Sequence, residues 1–201
     1  MPIRIYEKDI ESLIFDNYTD FFWGDDVDYL KNYHKAYRQY SLDPYGTPDI
    51  VAFNRRVTPW DDTESSEIEI HIIEMKAENL TAGHLTQLLR YYKGAKDIAN
   101  YARQVVIDAS DIHFRLTLLG TRADTSTGLQ GDDLVYLFQE IRKSMAIYDC
   151  SIEIGLFDFG VNGLEISYVE DGWHREISTE ITPATLAGDI FSATCSVEVN
   201  W

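Results

Sequence analysis

Basic residues are scarce in this 201-residue chain: 17 lysines and arginines stand against 34 aspartates and glutamates, a net charge of −17. Phosphate backbones are held by basic surfaces, so a chain this acidic should not grip duplex DNA tightly by electrostatics alone. The deficit is uneven. Residues 1–123 hold 14 Lys and Arg against 20 Asp and Glu, whereas residues 124–201 hold 3 against 14. Cysteine is nearly absent: Cys150 and Cys195 are isolated, without CxxC spacing, so neither a zinc site nor a disulfide framework is implied. No apolar run approaches the ~20 residues needed to span a bilayer. Charged residues begin at Arg4, too early for a signal peptide, so a cytoplasmic location without membrane attachment is expected. The five histidines, His34, His71, His84, His113 and His174, show no HExxH or HxH spacing. A Walker loop, a dinucleotide fingerprint and a Gly-x-Ser-x-Gly elbow are missing as well.

What is present describes an ordinary globular chain, 45% apolar and 25% charged. That composition argues against disorder and allows one domain with a sizeable core. Ile10, Leu13 and Ile14 fall at helical spacing after Glu7, and Val27 and Leu30 allow a second helix over 25–32. Residues 35–42 alternate aromatic and polar side chains, as a strand does. A turn cluster, Asp43 to Pro48, leads into a strand at 49–54. Residues 55–66, with Pro59 and several acids, predict a polar loop, and a long strand follows at 67–76. A helical pattern covers 80–103, with a break anticipated near Gly94. Strands are expected at 104–108 and 114–121, and a helix at 132–144 with Leu134, Leu137, Phe138 and Ile141 on one side. Asn162-Gly163 signals a hairpin between strands at 150–159 and 164–170.

The chemistry concentrates at the end of the 67–76 strand. Side chains alternate between the faces of a strand, so Ile68, Ile70, Ile72, Glu74 and Lys76 share one face. Three apolar positions thus give way to a carboxylate and an amine, which are costly to bury unless paired or bound to an ion. If strands 49–54 and 67–76 pair antiparallel with Phe53 opposite Ile70 and Val51 opposite Ile72, Asp49 falls opposite Glu74. Their Cβ atoms are then ~5 Å apart. Two acids so close repel unless a proton or a cation intervenes, and Mg²⁺ or Mn²⁺ suits oxygen ligands of this kind. Lys76, ~7 Å further along the strand, is placed to orient or deprotonate a water, or to balance phosphate charge. On the following helix His84, Gln87 and Tyr91 line one stripe. Gln87 is a candidate to hold Lys76 or a water on the metal. Arg90, Lys93 and Lys96 give the same helix a modest basic edge suited to phosphates. The tyrosines at 29, 33, 37, 40 and 45 offer rings for stacking bases, although core and strand packing explains them more simply.

Pro48-Asp49, Glu74-Met75-Lys76 and the helical Gln87, in that order on strand, strand and helix, resemble the signature of the PD-(D/E)XK nuclease superfamily. The spacing is most similar to the archaeal mismatch- and branched-DNA endonuclease catalytic domains. The resemblance covers about residues 5–122 of a single domain spanning 1–201, with 123–201 as a C-terminal α+β part. It implies a restriction-endonuclease-like α/β fold of three layers, with a central mixed sheet between helices and a β-rich acidic C-terminal extension. It further implies a Mg²⁺- or Mn²⁺-dependent endonuclease that hydrolyses phosphodiester bonds, DNA ahead of RNA, by metal-activated water. Asp49, Glu74 and Glu11 would bind the metal, with Glu7 an alternative to Glu11. Lys76 would assist the water and the transition-state charge, Gln87 would position, and Arg90, Lys93, Lys96 and Tyr91 would contact nucleic acid. The acidic C-terminal part offers a surface for a homodimer or a protein partner. The charge balance supports two other readings: a non-catalytic acidic interaction protein or nucleic-acid mimic on a nuclease fold, or the nuclease subunit of a larger complex.

Overall fold

The computed structural model describes residues 6–18, 22, 33–60, 63–105, 112–121, 132–145, 150–160, 163–170 and 173–177. In chain order they form α1 (Glu7–Asp16), β1 (Tyr33–Arg38), β2 (Ile50–Trp60), β3 (Thr63–Lys76), α2 (Ala82–Val105), β4 (Ile112–Thr121), α3 (Asp132–Met145), β5 (Cys150–Gly160), β6 (Gly163–Glu170) and β7 (Trp173–Ile177). The seven strands make one sheet in sequence order. Neighbours from β1 to β3 and from β5 to β7 are antiparallel, and β3, β4 and β5 are parallel. A parallel connection needs a crossover, which α2 and α3 provide.

The alternation of β3 divides the core into two. Ile70 and Ile72 join Val51, Leu116, Ile152 and Ile154 beneath α2 and α3, where Leu85, Leu88 and Phe138 meet them. Ile73 and Met75 join Ile50, Ala52 and Leu119 on the opposite face, covered by Ile10 and Ile14 of α1. Residues 70–75 are therefore buried on both faces, as expected of a central strand between helical layers. The result is a three-layer α/β arrangement around a mixed sheet. Among the described residues no helix is long and apolar enough to cross a membrane.

Several expectations change. The supposed loop at 55–66 is a ribbon: β2 and β3 stay paired until Trp60 meets Thr63. β1 pairs with β2 only up to Arg55, and β4 with β3 only from Ile68. Beyond those points the two strands have no other neighbour among the described residues, which is where Pro59, lacking an N–H, is tolerated. The helix is continuous through Gly94, because the ring of Tyr45 lies where a β-carbon would stand, 2.8 Å from its Cδ2. Residues 104–105 close α2 instead of opening a strand, and the rest of 104–108 lies outside the described residues, as does the expected helix at 25–32. The β-rich C-terminal part is not an appendage in its strands 150–170. β5 pairs with β4, and its Ile152 and Ile154 sit in the shared core. β7 was not anticipated.

Opposite the catalytic candidates, on the α1 side, a buried polar chain crosses the sheet. Asn54 donates both amide hydrogens, to the Tyr18 hydroxyl at 3.0 Å and to Glu69 at 2.9 Å. His34 Nδ1 must therefore donate to Asn54 Oδ1, at 2.7 Å. The Tyr18 hydroxyl in turn shares a hydrogen bond with His71 Nδ1 at 2.6 Å, and His71 Nε2 shares one with the Thr117 hydroxyl at 2.8 Å. Thr117 faces Glu153, which Arg115 holds at 2.9 Å. Burial, reinforced by the charges of Arg115 and His34, holds the His71 pKa well below the ordinary 6.5.

An unfolded chain takes up a proton on His71 below about pH 6.5 and the folded one refuses it, so the stability His71 contributes is lost as pH falls through that range. His71→Gln should be less stable than wild type by about 1–3 kcal/mol at pH 7.5. In urea unfolding the gap should narrow toward pH 5; a constant gap would mean that His71 does not titrate between the two states.

Candidate functional site

The register of β2 on β3 builds the site. Phe53 faces Ile70, Val51 faces Ile72 and Ile50 faces Ile73, so the next step along the ladder sets Asp49 against Glu74. This is the register expected from the apolar pairs. Both carboxylates are buried, Asp49 at 8% exposure and Glu74 at 2%. Asp49 follows buried Pro48 and accepts hydrogen bonds on both oxygens: from the Met75 backbone N–H at 2.7 Å and from Gln39 Nε2 at 3.1 Å.

Glu74 is held chiefly through one oxygen. Its Oε1 accepts from Lys76 Nζ at 2.6 Å and from Gln87 Nε2 at 2.7 Å. Its Oε2 is buried and accepts no hydrogen bond among the described residues. A buried acceptor left unpaired costs about 1–3 kcal/mol, more when it is charged. Burial, and next the charge of Asp49, push the Glu74 carboxyl up to about 7, although Lys76, through its bond and its charge, and the Asp49 backbone N–H at longer range work the other way. Burial also raises the pKa of Asp49, with Glu11 adding to the effect and the Met75 N–H, Lys76 and Gln39 opposing it. For Lys76 burial works downward, but the bond to Glu74 and the charges of Glu74, Asp49 and Glu7 outweigh it and leave the amine above its usual value. Without a cation beside it, Lys76 is an ammonium at neutral pH and not a base.

Two contacts fix the turn before Asp49 to α2. Tyr45 rests on Gly94, and Gly46, at φ +112°, lies so close to Tyr91 that a β-carbon would fall 2.8 Å from its ring. Glycine suits Gly46 on both counts. The loop that delivers Asp49 is thereby locked to the helix that delivers Gln87.

Gln87 takes a different role from either one expected. It holds Glu74, and it donates to the Tyr91 hydroxyl at 2.5 Å. Tyr91 is buried at 3% exposure and packs in the core, so it does not present its ring to a ligand. His84 lies at the start of α2, its Nδ1 accepting from the Thr81 N–H at 3.2 Å. Burial, and then Lys76, lower its pKa. Arg90, Lys93 and Lys96 are exposed, with their charged heads 5.6 to 5.7 Å from the ring centroids of Tyr91, Tyr45 and Tyr92. Asp97 interrupts this basic edge and accepts from the Tyr45 hydroxyl at 2.6 Å. Cys150 is buried and free, with its thiol pushed up to about 12 by burial; Cys195 lies outside the described residues.

The two candidate acids of α1, Glu7 and Glu11, part company. Glu7 accepts from the Ala77 N–H just beyond β3, at 2.9 Å. Glu11 accepts from Arg38 Nε at 2.8 Å and from Gln39 Nε2 at 3.2 Å. Among the described residues no three His, Cys, Asp or Glu side chains converge closely enough to hold an ion, so the expected trio of Asp49, Glu74 and Glu11 is not assembled. Arg38 and Gln39 were missed. The pairing of β1 with β2 reveals them: Lys35 lies opposite Phe53 and Tyr37 opposite Val51, a ladder that puts Gln39 opposite Asp49. The Gln39 N–H does bond the Asp49 carbonyl at 2.9 Å. No family model, curated protein or solved structure matches this chain.

Glu74 binds its proton more readily folded than unfolded, so its ionisation destabilises the fold as pH rises from about 4.5 to about 7. In chelator, Glu74→Gln should melt above wild type at pH 8, with the difference fading toward pH 4.5. Equal melting curves at pH 8 would show that the carboxylate is not strained.

Proposed function

We propose that this chain is a metal-dependent phosphodiesterase of the PD-(D/E)XK type, with a restriction-endonuclease-like sheet and DNA ahead of RNA as substrate. The observation that carries the reading is the unpartnered Glu74 Oε2, buried opposite Asp49 with Lys76 bonded to its sister oxygen. Two carboxylates forced together with an acceptor unused fit a hard divalent ion such as Mg²⁺ or Mn²⁺, which commonly takes one or two protein carboxylates and completes its shell with water and phosphate oxygens. Such an ion, when bound, supplies Lewis acidity toward a phosphoryl oxygen and lowers the pKa of water.

The chain's own groups do the rest. Asp49 and Glu74 give the oxygens, and the Met75 N–H and Gln87 fix their rotamers. Lys76 carries a proton at neutral pH, so its ammonium donates to a phosphate oxygen or orients a water and offsets the negative charge on the phosphoryl oxygens. Arg90 and Lys93, exposed on α2, supply cations on the approach to this end of the sheet.

One observation favours a second reading. A net charge of −17 opposes a phosphate backbone. A nuclease subunit whose partner supplies the grip on DNA, or a non-catalytic acidic interaction protein, satisfies it.

The decisive assay incubates single-stranded, duplex, mismatched and branched DNA with the chain, with Mn²⁺ and with chelator. Glu74→Ala and Lys76→Ala should each cut at least about 100-fold more slowly than wild type while keeping a cooperative melt. Full activity in either variant, or cleavage that persists in chelator, overturns the assignment.

A further inference from the structure

The residue after β1 has an unusual backbone. Gln39 has φ +49°, in the left-handed region that favours glycine, and is the one non-glycine with positive φ among the described residues. Its side chain spans two acids: one amide nitrogen donates to Asp49 Oδ1 at 3.1 Å and to Glu11 Oε2 at 3.2 Å. Arg38 closes the other side of Glu11 at 2.8 Å. A non-glycine kept in a conformation that glycine adopts freely points to work done by its side chain.

We propose that Gln39 is a positioning residue for the carboxylate pair, and that Glu11 acts through it and not as a ligand. The proposal rests on the metal-dependent reading above. Arg38 anchors Glu11, Glu11 aims the Gln39 amide, and the amide fixes Asp49 Oδ1. The Met75 N–H fixes Asp49 Oδ2, so the carboxylate is held from both oxygens with a lone pair on each still available. Asp49 then meets the open Oε2 of Glu74 in one orientation. Groups that orient metal ligands from behind typically change metal affinity 10–100-fold when removed.

The test is a double-mutant cycle on Mn²⁺ affinity, measured by calorimetry on the full chain without substrate. Gln39→Gly removes the amide and suits the backbone. It should melt no lower than wild type in chelator while binding Mn²⁺ at least tenfold more weakly. Glu11→Gln should weaken binding too, and the double variant should lose little beyond Gln39→Gly alone, because the two residues act in series. If Gln39→Gly fails to fold, Gln39→Asn replaces it in the cycle. Asparagine tolerates positive φ, but its amide is one methylene too short to span both acids, so the same loss is expected. Unchanged or tighter binding in the Gln39 variant overturns the proposal, as do fully additive losses, which would make Glu11 an independent ligand. A wild type that binds no Mn²⁺ removes the metal-dependent reading and this proposal together; a wild type that binds it beside an equally competent Gln39 variant removes only this one.

Discussion

Antiparallel pairing of β2 with β3 in a single register is the constraint from which the site is built. Ile50 opposite Ile73 and Val51 opposite Ile72 bury apolar side chains on both faces at once. A slip by one residue would turn every one of these side chains to the other layer. The same ladder carried one step further brings Asp49 against Glu74, where no gain from apolar burial remains and two negative charges are forced together. The apolar pairs thus hold an arrangement that the acids alone would oppose.

The sheet carries two buried polar systems, and they differ in completeness. On the α1 side the chain from His34 through Asn54, Tyr18, His71 and Thr117 to Glu153 gives every donor an acceptor. Such a network ties α1 and the residues after it to the sheet. On the α2 side Glu74 keeps one buried oxygen unpaired, and burial raises the pKa of both acids. This open acceptor is the observation on which the proposed metal-dependent reading rests.

Charge is distributed to match. Cations sit next to the acids where they are needed: Lys76 on Glu74 and Arg38 on Glu11. On the outer face of α2, Arg90, Lys93 and Lys96 lie over tyrosine rings, which restricts their side chains and leaves the charges at the surface. With so few basic residues in the chain, three of them gather on the helix that carries Gln87.

Alternation and charge position carried much of this molecule into view before any coordinates. The shared face of Glu74 and Lys76 follows from the period of two in a strand, and matching Phe53 with Ile70 and Val51 with Ile72 across an antiparallel pair brings Asp49 opposite Glu74. The helices at Glu7–Asp16 and Asp132–Met145 follow from their apolar spacing. The ribbon at 55–66 did not, because Pro59 and the run of acids there carry loop signals that the pairing of β2 with β3 overrides. Nor did Gln39, whose role depends on a backbone turn to positive φ and on α1 and β1 meeting at the end of the sheet. Gln87 was legible as a polar position on the right helix face, but whether it held Lys76 or Glu74 depended on how Tyr45 and Gly46 seat the Asp49 loop against α2. Local periodicity fixes which face a side chain takes within its own element. Which groups then touch is decided by how elements distant in sequence pack, because only packing sets the few ångströms on which a hydrogen bond or an unpaired oxygen depends.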